Sequence, residues 1–221
     1  VQANAMFSGG TYQSAITVVS RGRETASARR ERRRAEPALE GRRVRAAAGR
    51  PHRQAGLGVW ALPMPNIDVD VIRRSARALD AYGPDFSYSH HVAVKRLPAA
   101  ATLAGGAAAV VTAAQVPPVR DWLRRRVRPG DGPSAERRAR SWFSVHFAGE
   151  AGGRKVVTKV AGGDPGYGET AKMLGESALC LAYDDVPKTA GQVTTAEAMG
   201  DELLGRLRRA GITFTVVGSS G

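Results

Sequence analysis

Cysteine is almost absent from this 221-residue chain, where Cys180 stands alone. That excludes an internal disulfide framework and a cysteine-rich zinc site, and it makes a reducing cytoplasm the expected compartment. Aromatic residues make up only 6% of the chain. None falls between residues 20 and 58, so stacking on nucleic-acid bases is unavailable across that basic stretch. Lysine is scarce as well, with five Lys beside 28 Arg. Such a skew, with abundant Ala and Gly, is what GC-rich coding produces, and it weakens any step from arginine count to nucleic acid. Nucleic acid is therefore not an expected partner. Several cofactor and catalytic fingerprints are missing too: the chain has no G-x-G-x-x-G, no G-x-x-x-x-G-K-[ST], no G-x-S-x-G and no H-E-x-x-H. Residues 1–7 lack the basic and apolar regions of a secretory leader. The first residue is Val rather than Met, and a start further upstream is expected.

What is present suits an ordered protein. The chain is 43% apolar and 24% charged, enough for one sizeable core or for a piece of a larger enzyme. Its net charge of +13 is local. Residues 1–59 hold twelve Arg and four Glu, and residues 120–140 hold eight Arg and three acids, so the remainder is neutral.

The spacing of apolar residues outlines the elements. Ser8 or Thr11 can cap a helix that starts with Ala15, Ile16, Val18 and Val19 on one face and turns polar towards Pro37. Residues 36–58 read as a solvated loop, and 60–67 as an extended edge segment holding Pro63 and Pro65. Asp68 or Asp70 can cap a helix over 71–82, ended by Gly83-Pro84. Phe86, Tyr88, His90, Val92 and Val94 alternate with smaller or polar residues as one strand. An uncharged stretch, 98–116, leads into a basic amphipathic helix over 119–127, and a turn follows at 129–133. Strands over 142–148 and 155–161 form a hairpin, helices follow at about 169–183 and 196–210, and a final strand runs over 212–217. The pattern is α+β, a mostly antiparallel sheet with flanking helices. Its expected division is 1–59, an N-terminal helix and Arg-rich loop, and 60–217, an α+β domain.

Few side chains suggest chemistry. His90 and His91 adjoin on a strand and point to opposite faces, so they cannot share a metal; one is expected packed and the other exposed. Cys180 lies in an apolar helix and reads as core. The loop Gly162–Gly168 between a strand and a helix could turn backbone N–H groups towards an anion, but Asp164 within it would repel one. Ser8-Gly9-Gly10-Thr11 offers the same physics without the acid. The 98–116 stretch has the length of a membrane span, but nine of its 19 residues are Ala. A packed or interfacial helical hairpin is the better reading, with peripheral contact to the inner face of a membrane through residues 98–127.

Five stretches occur in a telling order. They are Phe7-Ser8-Gly9-Gly10-Thr11; Tyr82-Gly83-Pro84-Asp85-Phe86; Gly163-Asp164-Pro165-Gly166-Tyr167 with Thr170-Ala171-Lys172-Met173-Leu174; Gly191-Gln192-Val193-Thr194-Thr195; and Ala210-Gly211-Ile212-Thr213-Phe214. Together they resemble the C-terminal portion of saccharopine dehydrogenase-like oxidoreductases, nearest the actinobacterial trans-acting enoyl reductases. The resemblance implies an N-terminal Rossmann domain that binds NADP(H) and is absent from this chain. It implies that this chain is the second, substrate-side domain, and that reduction of an enoyl thioester in lipid or polyketide biosynthesis belongs to the whole protein. NADP(H) is not expected to bind strongly to this segment alone. An acyl-carrier protein or polyketide synthase is an implied partner, and a non-catalytic membrane-surface or scaffold module is the alternative. Tyr88, His90, Tyr167 and Lys172 are the candidate proton donors or oxyanion partners. Ser8, Gly9, Gly10 and Thr11 are the candidate cofactor contacts, and Asp164, Gly166 and Tyr167 the candidate lining of the substrate cleft. No metal is expected.

Overall fold

A computed structural model describes residues 1–4, 9–54, 57–64, 66–126 and 132–220. Helices α1 (Gly9–Ser20) and α2 (Gly22–Ala35) open it, with strand β1 (Gln2–Asn4) before them. The single helix expected here is two, because Arg21 leaves helical geometry at φ −102 and ψ 24. Residues 36–58 are not the solvated loop expected. They hold strands β2 (Arg43–Ala46) and β3 (His52–Gln54). β4 (Val59–Pro63) is no edge: it lies between β3 and β6 (His91–Val94), both antiparallel to it. Its proline stands at the strand end, where loss of a ladder donor costs least.

Helix α3 (Ile67–Ala78) is capped by Asn66, whose side chain accepts from the Asp68 N–H at 3.4 Å, so neither expected aspartate is the cap. It ends earlier than expected, and a single 3-10 turn, Asp80–Tyr82, follows. Strand β5 (Asp85–Tyr88) then pairs in parallel with β2. The one strand expected over residues 86–94 is thus two, β5 and β6, which belong to different sheets and part at Ser89-His90.

Arginines do much of the fastening in this half. Arg73 grips Glu36 in a fork at 2.7 and 2.6 Å, and Arg29 reaches Asp70 at 3.0 Å, tying α2 to α3. Arg42 donates to the carbonyls of Ala76 and Leu79 at 2.9 and 2.8 Å, closing the exposed end of α3. Planar bidentate contacts of this kind are specific to Arg.

Helices α4 (Leu97–Ala113) and α5 (Pro117–Arg126) follow one another across the short link 114–116, and each packs on α1. Pro117 stands first in α5, where its missing N–H costs nothing. Of the turn expected over 129–133, residues 129–131 lie outside the described residues. A five-residue helix, α6 (Ala135–Ala139), follows and was not signalled by periodicity.

β7 (Trp142–Ala151) and β8 (Arg154–Gly162) form the expected hairpin, registered from Phe143↔Gly162 to Ala151↔Arg154. Gly152 and Gly153, at φ 56 and 78, supply the left-handed pair that a tight two-residue turn requires. β9 (Thr213–Ser220) joins β8 and β1 joins β7, completing an antiparallel sheet in the order β1-β7-β8-β9. Helices α7 (Gly168–Tyr183) and α8 (Thr195–Arg209) pack against one another through Cys180, Met199 and Leu203. Cys180 is fully buried there, as expected of a core residue. The Thr194 hydroxyl caps α8 and accepts from Ser75 at 2.8 Å, joining α8 to α3. The whole is an α/β mixture with a mainly antiparallel sheet and flanking helices.

Candidate active site

The break between β5 and β6 sets the site. Because these strands enter different sheets, the chain must turn at Ser89-His90, and both histidines come to face one space. That space is a cavity of about 1190 Å³ between β3, β4, β5 and β6 and the turn end of the β7–β8 hairpin. Such a volume suits a small-molecule site. Tyr88, His90, His91, His52, Arg154 and Glu150 are among its lining residues.

Tyr88 Oη lies 3.1 Å from His90 Nδ1. Asp68 Oδ2 lies 4.0 Å from the same nitrogen and is itself held by the Asn66 amide at 2.6 Å. Burial holds the His90 imidazole below its ordinary pKa, against the opposing pull of Asp68. Burial, with the Asp68 charge behind it, pushes the Tyr88 phenol above its ordinary value. At neutral pH the phenol is therefore protonated and the imidazole neutral. Where the Tyr88 O–H donates to Nδ1 the ring proton sits on Nε2, and where Nδ1–H donates to Tyr88 Oη the Nε2 is an acceptor. That Nε2 is buried and has no hydrogen-bond partner among the described residues. An orphaned buried polar atom of this kind costs free energy.

His91 stacks edge-on against His52, ring centroids 5.0 Å apart. Gly49 approaches it so closely that a Cβ there would collide with the ring. Burial, and then the neighbouring His52 and His90, hold His91 below its ordinary pKa. The expected split into one packed and one exposed histidine therefore does not hold: His90 is buried, His91 is half-buried, and both line the cavity.

The other candidates are elsewhere. Asp164 turns its carboxylate inward on its own loop, accepting from the N–H groups of Gly166, Tyr167 and Gly168 at 3.2, 3.1 and 3.3 Å. Those amides are thereby spent, and the loop holds no vacant anion cradle. The Arg138 guanidinium lies 5.5 Å over the Tyr167 ring, and the phenol end presses on Gly132. Lys172 Nζ pairs with the buried Glu169 at 2.8 Å, and Glu169 accepts from the Gly163 N–H at 3.2 Å. Asp164, Gly166, Tyr167 and Lys172 do not line the cavity. Gly9, Gly10 and Thr11 form the first turn of α1, Thr11 does not line the cavity, and Ser8 lies outside the described residues.

Asp68, His52 and His91 were missed as site residues by sequence reasoning. The first carried only a capping signal, and the histidines meet across 39 residues of chain, which periodicity cannot reveal. Among the described residues no cluster of three or more His, Cys, Asp or Glu could hold a metal. A neutral imidazole N–H in an enclosed space can donate to a carbonyl oxygen that gains negative charge.

No protein-family model matches the chain, and no solved structure matches it. Relatives among curated proteins do. A Mycobacterium tuberculosis protein named provisionally as a trans-acting enoyl reductase is 34% identical over 234 aligned positions, covering 94% of this chain and 56% of that protein. Trans-acting enoyl reductases of Mycobacterium ulcerans and Mycobacterium bovis are 32% and 31% identical, covering 73% and 72% of this chain and 41% of each of theirs. The chain thus spans between two fifths and little more than half the length of the curated relatives it matches, and over that span it is related to the trans-acting enoyl reductases.

Proposed function

We propose that this chain is the substrate-side part of an NADP(H)-dependent enoyl reductase of the saccharopine dehydrogenase-like group, acting on an enoyl thioester in lipid or polyketide biosynthesis. The observation that carries the reading is the similarity to trans-acting enoyl reductases across nearly the whole chain. The cavity gives it a physical form.

Reduction of an enoyl thioester adds hydride at the β-carbon and moves the π electrons onto the thioester oxygen, and the enolate so formed collapses back to the carbonyl as a proton from solvent adds at the α-carbon. A reduced nicotinamide supplies such a hydride when bound. The residues here do not fit that dinucleotide: the parallel pairing among the described residues is confined to β2–β5, and the glycine-rich loop before α7 spends its amides on Asp164. In this reading the nucleotide therefore sits on a part of the protein beyond these residues, a Rossmann domain that precedes them.

The part played by this chain is to hold the acceptor. His90 Nε2–H donates to the thioester oxygen and strengthens that bond as negative charge builds, the preorganised stabilisation that accelerates such steps. Tyr88 fixes the tautomer by occupying Nδ1. Asp68 holds the ring by its charge from 4.0 Å. The half-buried strands β4 and β6 wall the cavity on that side. An acyl-carrier protein or a polyketide synthase presents the thioester.

The test is NADPH oxidation by the full-length protein. Turnover with an enoyl thioester and none with its saturated counterpart supports the reading. Absence of turnover across short and long enoyl thioesters overturns it.

A further inference from the structure

The α4–α5 corner carries an apolar surface that nothing among the described residues covers. Val110 and Val111 near the end of α4 are 48% and 44% exposed; Val116 and Val119 at the start of α5 are 47% and 37% exposed, and Trp122 is 52% exposed. Residues 116, 119 and 122 follow at steps of three, so they form one stripe along α5. Single exposed valines are ordinary, but five large apolar side chains within 13 residues form a patch.

Charge borders the patch on one side. Arg125 and Arg126 are exposed, and neither has a carboxylate partner among the described residues. The Arg126 guanidinium lies 4.3 Å from the Trp122 ring centroid, so the cation and the indole occupy one spot. Trp beside Arg is the pairing that settles at the boundary between acyl chains and anionic headgroups. Helix α2 offers the contrast. It is equally rich in arginine but presents no large apolar residue, and Arg29 and Arg32 are drawn to Asp70. Its charge is used inside the fold, whereas that of α5 faces outward.

Spanning is not the mode. No helix among the described residues is long and apolar enough to cross a membrane. α4, at 17 residues and about 1.5 Å each, also falls short of a hydrocarbon core of about 30 Å. A helix this rich in alanine gains little from deep insertion, which leaves surface contact as the mode open to the α4–α5 corner.

We propose that the α4–α5 corner is a peripheral docking surface for an anionic lipid bilayer. Val116, Val119 and Trp122 enter the headgroup boundary, and Arg125 and Arg126 meet lipid phosphates. This goes beyond the proposed reductase function and does not depend on it.

The experiment is co-sedimentation of the full-length protein with vesicles of phosphatidylcholine alone and of phosphatidylcholine mixed with phosphatidylglycerol. Binding is expected only to the mixed vesicles and falls as salt is added. Replacing both Arg125 and Arg126 by Gln weakens it about 30-fold, from about fivefold for each cation near the surface. Trp122→Ala weakens it about tenfold. Circular dichroism of both variants matches the parent, since these side chains are exposed. Equal binding to neutral vesicles, or unchanged binding in the double variant, overturns the proposal. So does a failure to bind any vesicle while the corner is protected from hydrogen exchange or captured by an acidic carrier protein, which would make it a protein interface.

Discussion

Replacing Asp164 tests whether the glycine-rich loop before α7 is a brace or a ligand site. The carboxylate is 7% exposed and takes three backbone donors, Oδ1 from Gly166 and Oδ2 from Tyr167 and Gly168. These bonds are long and partly accessible, so each is assigned about 1 kcal/mol net, the centre of the usual range. Asp164→Ala should then lose about 3 kcal/mol, equivalent to a melting temperature lower by roughly 6–12 °C for a chain of this size. Asp164→Asn is the sharper case. Its oxygen can replace Oδ2 and keep two bonds, but its NH2 then faces the Gly166 N–H, donor against donor. The expected loss is about 1.5 kcal/mol. Urea unfolding at constant slope reads both values. The alanine variant also frees three amides at a helix N-terminus, so inorganic phosphate should restore part of the lost stability. A loss below about 0.5 kcal/mol in Asp164→Ala would refute the brace, because three satisfied donors cannot be that cheap to expose.

Two further outcomes follow from the packing and the titrating groups. Phe143 is 9% exposed and lies against Gly162 so tightly that a Cβ there would strike its ring, so Phe143→Ala should cost about 3–5 kcal/mol in the same unfolding experiment, and a loss under about 1 kcal/mol would mean that the β7–β8 register is wrong. Burial holds His90, His91 and His146 below their ordinary values, so the unfolded chain binds protons that the folded one refuses; stability is complete above about pH 6.5 and falls as pH drops through that value, and a stability flat between about pH 7 and 5 would contradict the burial of these rings.

Elements with a local signature were legible in the sequence. The β7–β8 hairpin announces itself by alternation around Gly152-Gly153, and α8 by Gly211, whose φ of 95 ends the helix as the glycine predicts. β2 and β3 announce little: Arg-Val-Arg-Ala offers only Val44 and Ala46 on one face, His-Arg-Gln has no apolar residue, and their partners β5 and β4 supply the reason they are strands. The break at Ser89-His90 was hidden by a period of two that runs unbroken through it, since periodicity reports which way side chains point and not which sheet receives the strand. The site divides along the same line. Tyr88 and His90 stood out as titratable residues at alternating positions, and they do meet. Tyr167 and Lys172 stood out equally, but Arg138 and Gly132 hold Tyr167 in the loop before α7, and Glu169 holds Lys172 in the first turns of α7. Asp68 comes within 4.0 Å of His90 Nδ1 with its carboxylate held by Asn66, which takes the cap of α3, a meeting that no spacing in the sequence signals.

The account rests most directly on His90 as the donor to the acceptor oxygen. The measurement is kcat for NADPH-dependent reduction of an enoyl thioester by the full-length protein, compared with its His90→Ala and Tyr88→Phe variants. His90→Ala should lower kcat by about 10²–10³ with KM moving far less, as for loss of one preorganised oxyanion donor. Tyr88→Phe should lower it by about tenfold, through the tautomer it no longer fixes. A kcat within about twofold of the parent in His90→Ala would contradict the account.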